Sequence, residues 1–466
     1  MVATAIPRIV VAAPASGHGK TTVATGLMAA LAARGLSVSG HKVGPDFIDP
    51  GYHALATGRP GRNLDPFLVG EHRVVPLLLH GARSADVAVI EGAMGLFDGR
   101  LGTAGEASTA HVAVLTASPV LLVVDISHAS RTHAAVIAGL AAFDTGVRIA
   151  GVILNKAGSV RHADEVRDAL GPSGIPVLGV LPRDDGIETP SRHLGLVPAA
   201  ERAESAHTLE RMADVIAAHV DIDAVLDIAR GAAELHESPW DPTRDVAPPT
   251  PARPVVAMAG GRAFTFRYAE TEELLRAAGC DVAEFDPLVD VTLPAGTAGI
   301  YLGGGFPEVH AAELAENRCL MAELKSAIAA GVPTVAECAG LLYLCRSLDG
   351  TPMVGAVPAD AAMTPKLTLG YRTAVSSADS VLAEKGLTVN GHEFHRTKTS
   401  ALEGHPAWQL PAGPEGFATA TLHAAYLHTH WAGQPALAQR FAHAVHGCER
   451  IQTPRPRIVG LGHRPP

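Results

Sequence analysis

Aromatic rings, paired cysteines and positive charge are all scarce in this 466-residue sequence, and each shortage excludes something. The five cysteines (Cys280, Cys319, Cys338, Cys345 and Cys448) are odd in number and include no CxxC pair. That excludes a disulfide framework and a structural zinc site, and a reducing, cytoplasmic setting is expected. A formal charge of −10 argues against nucleic acid as a partner, because displacing its counterions needs a basic face. A local positive pocket for a small anion stays compatible with that balance. The longest apolar run, residues 112–124, is broken by Pro119 and falls short of a membrane span. The N-terminus has neither a basic n-region nor a cleavage site, so no membrane partner is expected. Aromatics make up only 4% while glycine reaches 48 residues, which suits helices packed closely on sheets.

What is present is a globular composition, 47% hydrophobic and 18% charged, in a chain too long for one core. Short, continuous apolar runs recur at 9–13, 38–43, 87–91, 120–125, 149–155 and 177–180, separated by helix-length stretches. Without polar alternation they read as parallel strands buried on both faces, and the expected class is a doubly wound α/β sheet. From Ser238 to Pro254 six prolines interrupt the pattern, predicting a semi-rigid extended linker. The alternation then restarts, with strands at 255–259, 281–285, 299–302 and 334–336, a helix over 268–278, and a β-rich part from 353 to 425. The expected division is a first domain over 1–237, a linker over 238–254, a second doubly wound domain over 255–447, and a frayed tail over 448–466.

Ala13-Pro14-Ala15-Ser16-Gly17-His18-Gly19-Lys20-Thr21-Thr22 follows the first strand and opens a helix. Backbone N–H groups and the helix dipole there favour a phosphate, to which Lys20 adds a charge. Ser16, Gly17, His18, Gly19, Lys20, Thr21 and Thr22 are the expected ATP contacts, and Thr21 is placed to ligate Mg²⁺. Pro14 stands where a P-loop has glycine, so an ordinary strand-to-helix turn is the alternative. Lys42, Glu91, Asp125 and Asn155 fall at other strand ends, the functional edge of such a sheet, with Asp46 in the turn after Lys42. Asp46 and Glu91 are the further Mg²⁺ candidates, since an unpaired carboxylate at a buried strand end is expensive. A capped loop at Asp46 and a satisfied buried Glu91 are the competing readings. Lys42 and Asp98 are expected near a substrate carboxylate, and Asn155 near the adenine edge.

The second half has its own centre. Gly303-Gly304-Gly305 follows a strand, and Glu337-Cys338-Ala339-Gly340 reads as strand, sharp turn and helix. That is a nucleophile elbow, with a thiol pKa lowered by the helix N-terminus and an oxyanion hole from Gly303, Gly304, Gly305 and Ala339. A lone cysteine is otherwise a small core residue. His428 is the expected base, with His430 as fallback; no carboxylate follows at the spacing of a triad, so a dyad is expected. Gly391-His392-Glu393-Phe394-His395 matches no standard ligand spacing and is read as a structural or substrate-facing loop.

Taken together, Ala-Pro-Ala-Ser-Gly-x-Gly-Lys20-Thr-Thr, Lys42-Val-Gly-Pro-Asp-Phe-Ile-Asp-Pro, Glu91-Gly-x-Met-Gly-Leu-Phe-Asp-Gly, Arg192-His-Leu-Gly-Leu, Gly-Gly-Gly-Phe-Pro-Glu308, Glu-Cys338-Ala-Gly and Gly-His-Glu-Phe-His395 make the chain resemble the cobyrinic and hydrogenobyrinic acid a,c-diamide synthase family of corrinoid biosynthesis. The resemblance spans nearly the whole chain. It implies a dethiobiotin-synthetase-like first domain, a class I glutamine amidotransferase second domain, and Pro14 as the family's own form of the loop. It also implies ATP, Mg²⁺ and glutamine as co-substrates or cofactors, a corrinoid substrate and a possible homodimer. Phe47 stands where tyrosine is expected and is grouped with Lys42, Asp46 and Asp98 as a substrate or activation residue. Sister readings are nickel-sirohydrochlorin a,c-diamide synthase and cobyric acid synthase, and a P-loop ATPase switch is the non-enzyme alternative. A composition rich in alanine and arginine and poor in lysine points to a GC-rich genome and leans towards the metal-free substrate.

Overall fold

Alternate residues of the first strand feed two different hydrophobic cores. Val10 and Ala12 join one with Ile90 and Leu122, while Ile9 and Val11 join the other with Val89, Leu121 and Val123. Both faces of the strand are thus covered, which is why the sequence shows continuous apolar runs. The computed structural model describes residues 4–183, 191–192, 195–196, 205–400 and 404–448, with backbone alone at 191–192 and 195–196. His193, Leu194 and the tail beyond 448 lie outside the described residues.

The first sheet contains β1 (Arg8–Ala12), β2 (Val38–Val43), β3 (Arg62–Leu64), β4 (Val87–Glu91), β5 (Val120–Asp125), β6 (Ile149–Ala157) and β7 (Val177–Pro182). Its order is β3-β2-β4-β1-β5-β6-β7, and every pairing is parallel. Between β1 and β2 runs α1 (Lys20–Ala33), and after β2 comes α2 (Asp49–Thr57). A short hairpin follows, β8 (Ser191–Arg192) with β9 (Gly195–Leu196).

The second sheet is built on β10 (Val255–Ala259), β11 (Asp281–Phe285), β12 (Thr297–Leu302) and β13 (Thr334–Glu337). The chain then makes β14 (Ser347–Leu348), β15 (Thr351–Pro352), β16 (Asp360–Ser376), β17 (Thr388–Thr399), β18 (Trp408–Leu410), β19 (Gly413–Glu415), β20 (Phe417–Ala418), β21 (Leu422–Ala425) and β22 (His428–Thr429). β21 returns to the second sheet, in the order β11-β10-β12-β13-β21-β20; β16 and β17 form the spine of a third, mixed sheet. The motif Gly391–His395 is therefore not a loop, as the sequence suggested. It lies in β17, paired antiparallel with β16 from Leu369↔Phe394 through Arg372↔Gly391.

The proline-rich stretch, expected as a semi-rigid extended linker, is stitched to the first half. Trp240 is 5% exposed, its backbone N–H donates to Pro76 O, and its indole donates to Asp245, which Arg73 also grips. Trp240 and Val246 belong to the core cluster that also contains Val10, Val256 and Phe441. One apolar core thus runs across both sheets, because prolines forbid secondary structure without forbidding burial. Among the described residues no helix is long and apolar enough to cross a membrane.

Candidate active sites

In the first sheet the loop after β1 turns with Gly17 at φ 85° and Gly19 at φ 89°, left-handed values that favour glycine. Gly19 has a second reason to lack a side chain. A Cβ there would lie 2.3 Å from Asn155 Nδ2, which donates to His18 O at 2.9 Å. Asn155 thus braces the loop in this structure, and a contact with an adenine edge would have to compete with that bond. His18 Nδ1 faces the Asp125 backbone N–H at 2.9 Å on the neighbouring strand. Lys20 Nζ donates to Ala15 O and Met94 O across the mouth of the loop. Burial, with Lys42 nearby, brings Lys20 down to about 8.

Beneath the loop lies a closed charge network. Glu91, 0% exposed at the end of β4, accepts from Thr21 Oγ1 at 2.6 Å and from Lys42 Nζ at 2.9 Å, and meets His53 Nε2 at 2.7 Å. Lys42 Nζ also pairs with Asp49 Oδ2 at 2.6 Å. Burial works against charge on Glu91 and Lys42, but their mutual attraction prevails and holds the carboxylate down and the ammonium up. The premise that Glu91 is an unpaired carboxylate is thereby corrected: Lys42, Thr21 and His53 satisfy it. Asp46 is corrected as well. Its Oδ1 accepts from the Ile48 and Asp49 backbone N–H groups at the start of α2, while Asp49, 3.5 Å from Thr21 Oγ1, is the carboxylate that enters the network. Asp49 and His53 are one helical turn apart and point the same way, a spacing legible in the sequence. Asp98 accepts from Gly95 N and holds the loop after β4.

The second centre is assembled by strand pairing. β13 lies parallel to β21, with Glu337 opposite Ala425, and Cys338 N–H donates to Ala425 O at 2.7 Å. Cys338 takes φ 49°, ψ −97°, a strained conformation for a residue with a side chain, and precedes the helix Ala339–Leu344. Gly340 N–H donates to Gly303 O, which ties the elbow to the glycine loop after β12. A Cβ on Gly304 would stand 2.4 Å from His428 Cε1. The triple glycine, Cys338 and His428 therefore converge. Glu337, behind the nucleophile, accepts from Thr429 Oγ1 and N and from Tyr301 OH, fixing the strand that carries His428.

Burial is the main influence on both reactive groups. It pushes the Cys338 thiol up, helped by Glu308, while the Ala339 N–H pulls the other way. The expectation of a thiol pKa lowered by the helix N-terminus is thus overturned, because one short helix does not offset complete desolvation. His428 is held well below its ordinary value by burial, with His392 and His395 nearby acting in the same direction. His430 sits elsewhere: its ring stacks on Tyr268 at 4.2 Å, and its Nε2 lies 3.7 Å from Glu270.

Glu270 and Glu273 meet Arg62 of β3 across the seam between the halves. Tyr371 OH donates to Asp65 and Asn390 to Phe67 O along the same seam. Phe47 belongs there too. Its ring lies 5.2 Å from Phe266, 4.6 Å from Tyr268 and 5.0 Å from His428. Placed by the sequence among substrate contacts, Phe47 turns to the other half because its apolar ring finds an aromatic cluster there.

Residues 9–197 match the family described as a CobQ/CobB/MinD/ParA nucleotide binding domain, and residues 255–436 match a CobB/CobQ-like glutamine amidotransferase domain. A hydrogenobyrinate a,c-diamide synthase of Thermobifida fusca is 59% identical over 462 residues, covering 95% of this chain and 98% of the relative. Its counterpart from Streptomyces coelicolor is 52% identical over 472 residues, covering 94% and 97%. A cobyrinate a,c-diamide synthase of Synechococcus sp. is 43% identical over 447 residues, covering 94% and 98%.

Proposed function

The chain belongs to the hydrogenobyrinate and cobyrinate a,c-diamide synthase family, and on that premise we propose that it converts the a- and c-acetate carboxylates of hydrogenobyrinate to amides, with glutamine as nitrogen donor and ATP as activator. The observation that carries this reading is the pairing of a phosphate loop and a cysteine elbow across one buried seam. Hydrogenobyrinate is preferred to cobyrinate because relatives named for it reach 59% and 52% identity, against 43% for a cobyrinate enzyme.

A carboxylate resists attack by ammonia, so it is first phosphorylated to an acyl phosphate. The loop from Ser16 to Thr22 holds the nucleotide phosphates, and Lys20 reaches the transferred group. Thr21 and Glu91 would hold a Mg²⁺, with Asp49 beside them and Asp46 at the rim. When bound, that ion neutralises charge on the phosphates. Lys42, already charged through Asp49 and Glu91, together with Asp98 orients the acetate side chain.

In the second centre His428 takes the Cys338 proton as sulfur attacks the glutamine side-chain amide. The N–H groups of Gly303, Gly305 and Ala339 receive the oxyanion; Gly304, expected among them, is corrected, because its N–H is held by Phe266 O at 2.9 Å. The C–N bond breaks to release ammonia and a thioester, which water cleaves to glutamate and free thiol. Ammonia crosses the seam and displaces phosphate from the acyl phosphate, twice in all. We assign residues 1–237 to amide formation, 255–447 to glutamine hydrolysis and 238–254 to their connection. The free thiols suit the cytoplasm, and a homodimer is the proposed assembly, checked by light scattering. The enzymatic test supplies ATP, Mg²⁺ and glutamine with hydrogenobyrinate, cobyrinate or nickel-sirohydrochlorin, and reads the products by mass. The metal-free diamide is expected; amidation of nickel-sirohydrochlorin alone would sink the assignment.

A further inference from the structure

A cavity of about 820 Å³ is lined by Glu393, His395, Glu415 and Tyr426, with Lys366 and Lys398 also on its wall, and Tyr426 follows Ala425, whose carbonyl accepts from the Cys338 N–H. Glu393 has a partner of opposite sign, accepting from Arg372 Nε at 2.6 Å. Glu415 does not. Its carboxylate accepts from the backbone N–H groups of Tyr426 and Leu427, and its Oε2 is buried without a hydrogen-bond partner. Burial, reinforced by Glu393, holds this carboxyl up to about 8, and a cation beside the unbonded Oε2 would be what keeps it ionised.

The position of Glu415 says which cation. The peptide between Ala425 and Tyr426 donates its N–H to Glu415 and presents its carbonyl to the Cys338 N–H. Carboxylate and nucleophile therefore flank one peptide unit, and the Glu415 charge is among those felt by the Cys338 thiol. We infer that Glu415 is the specificity residue of the glutaminase centre, receiving the α-ammonium of glutamine while the α-carboxylate faces Lys366 and Lys398. The rest of the amino acid then runs along the peptide unit to bring its side-chain amide to sulfur. This rests on the glutamine-hydrolysing role proposed above.

The test uses the full chain and compares L-glutamine with glutaramate, which keeps the side-chain amide and lacks the α-amino group. Ammonia release is measured for both. The wild type is expected to favour glutamine strongly in kcat/KM. Glu415→Gln should narrow that ratio at least about tenfold through a higher KM for glutamine, the cost of losing one charge-assisted hydrogen bond. Glutaramate turnover should be unchanged, and ammonia-driven amidation in the other half should report an intact fold. An unchanged ratio in Glu415→Gln overturns the inference. So does an equal loss for both substrates while ammonia-driven amidation persists, which would make Glu415 structural. If the wild type hydrolyses no glutamine, the functional reading itself fails, a separate outcome.

Discussion

Around Glu91 the buried Lys42 is gripped by two carboxylates at hydrogen-bond distance, whereas around Cys338 burial has suppressed charge instead. Lys42, Asp49, Glu91 and His53 form a closed set. Cys338 and His428, equally buried, rest as a neutral thiol and a neutral imidazole. The difference matches what each centre must receive. A polyanionic nucleotide needs fixed positive charge that survives desolvation, which Lys42 obtains from its two carboxylates. An amide is neutral, and a permanent thiolate in that cleft would itself be costly. The thiol loses its proton only when His428 can take it, so the resting site stays uncharged until a substrate offers an oxyanion to stabilise.

The sharpest way to break this contrast is to silence one centre alone. Cys338→Ser should lower glutamine-driven amidation by about a thousandfold or more and leave ammonia-driven amidation within about twofold. Equal loss of both would mean the centres do not work separately. Next in size, Lys42→Met strands two buried carboxylates, and urea unfolding should show a loss of about 3–5 kcal/mol. Adding Glu91→Gln to that variant should recover part of the loss; strictly additive losses would contradict the closed network.

Phe47→Leu removes an aromatic ring that packs on His428 and probes the seam between the two regimes. Glutamine-driven amidation should fall about tenfold more than ammonia-driven amidation, roughly 1.4 kcal/mol. A loss confined to the ammonia-driven reaction would return Phe47 to the substrate pocket. A smaller effect concerns Lys20, the one cation of the first centre brought down to about 8. ADP affinity in calorimetry should weaken a few-fold as pH rises through about 8, because the ammonium gives up its proton. Lys20→Arg, charged throughout, should show a flat profile. Smallest of all, His430→Ala should change glutamine hydrolysis by about twofold or less, since its ring lies against Tyr268 and Glu270, while His428→Ala should match the cysteine variant.

Much of the parallel sheet was legible because doubly buried strands leave continuous apolar runs, and β2, β4, β5 and β10 begin and end where those runs do. The phosphate loop and the elbow were legible for a similar reason: each is a local event of strand, turn and helix. Asp49 was harder to pick, since Asp46 and Asp49 stand in the same turn and the helix start decides which caps and which points inward. Where Trp240 and Phe47 pack was not legible, because nothing near them in sequence reveals what they pack against.

The sequence by itself determined the α/β class, the family and the residue types at each centre, because those depend on short-range patterns and on spacings a few residues long. Only the tertiary structure decided how the charges are held. The pairing of Lys42 with Glu91 spans 49 residues and that of Glu337 with Thr429 spans 92. Desolvation is likewise a property of everything packed around a group, so the same fold that leaves Lys42 charged leaves Cys338 and His428 neutral.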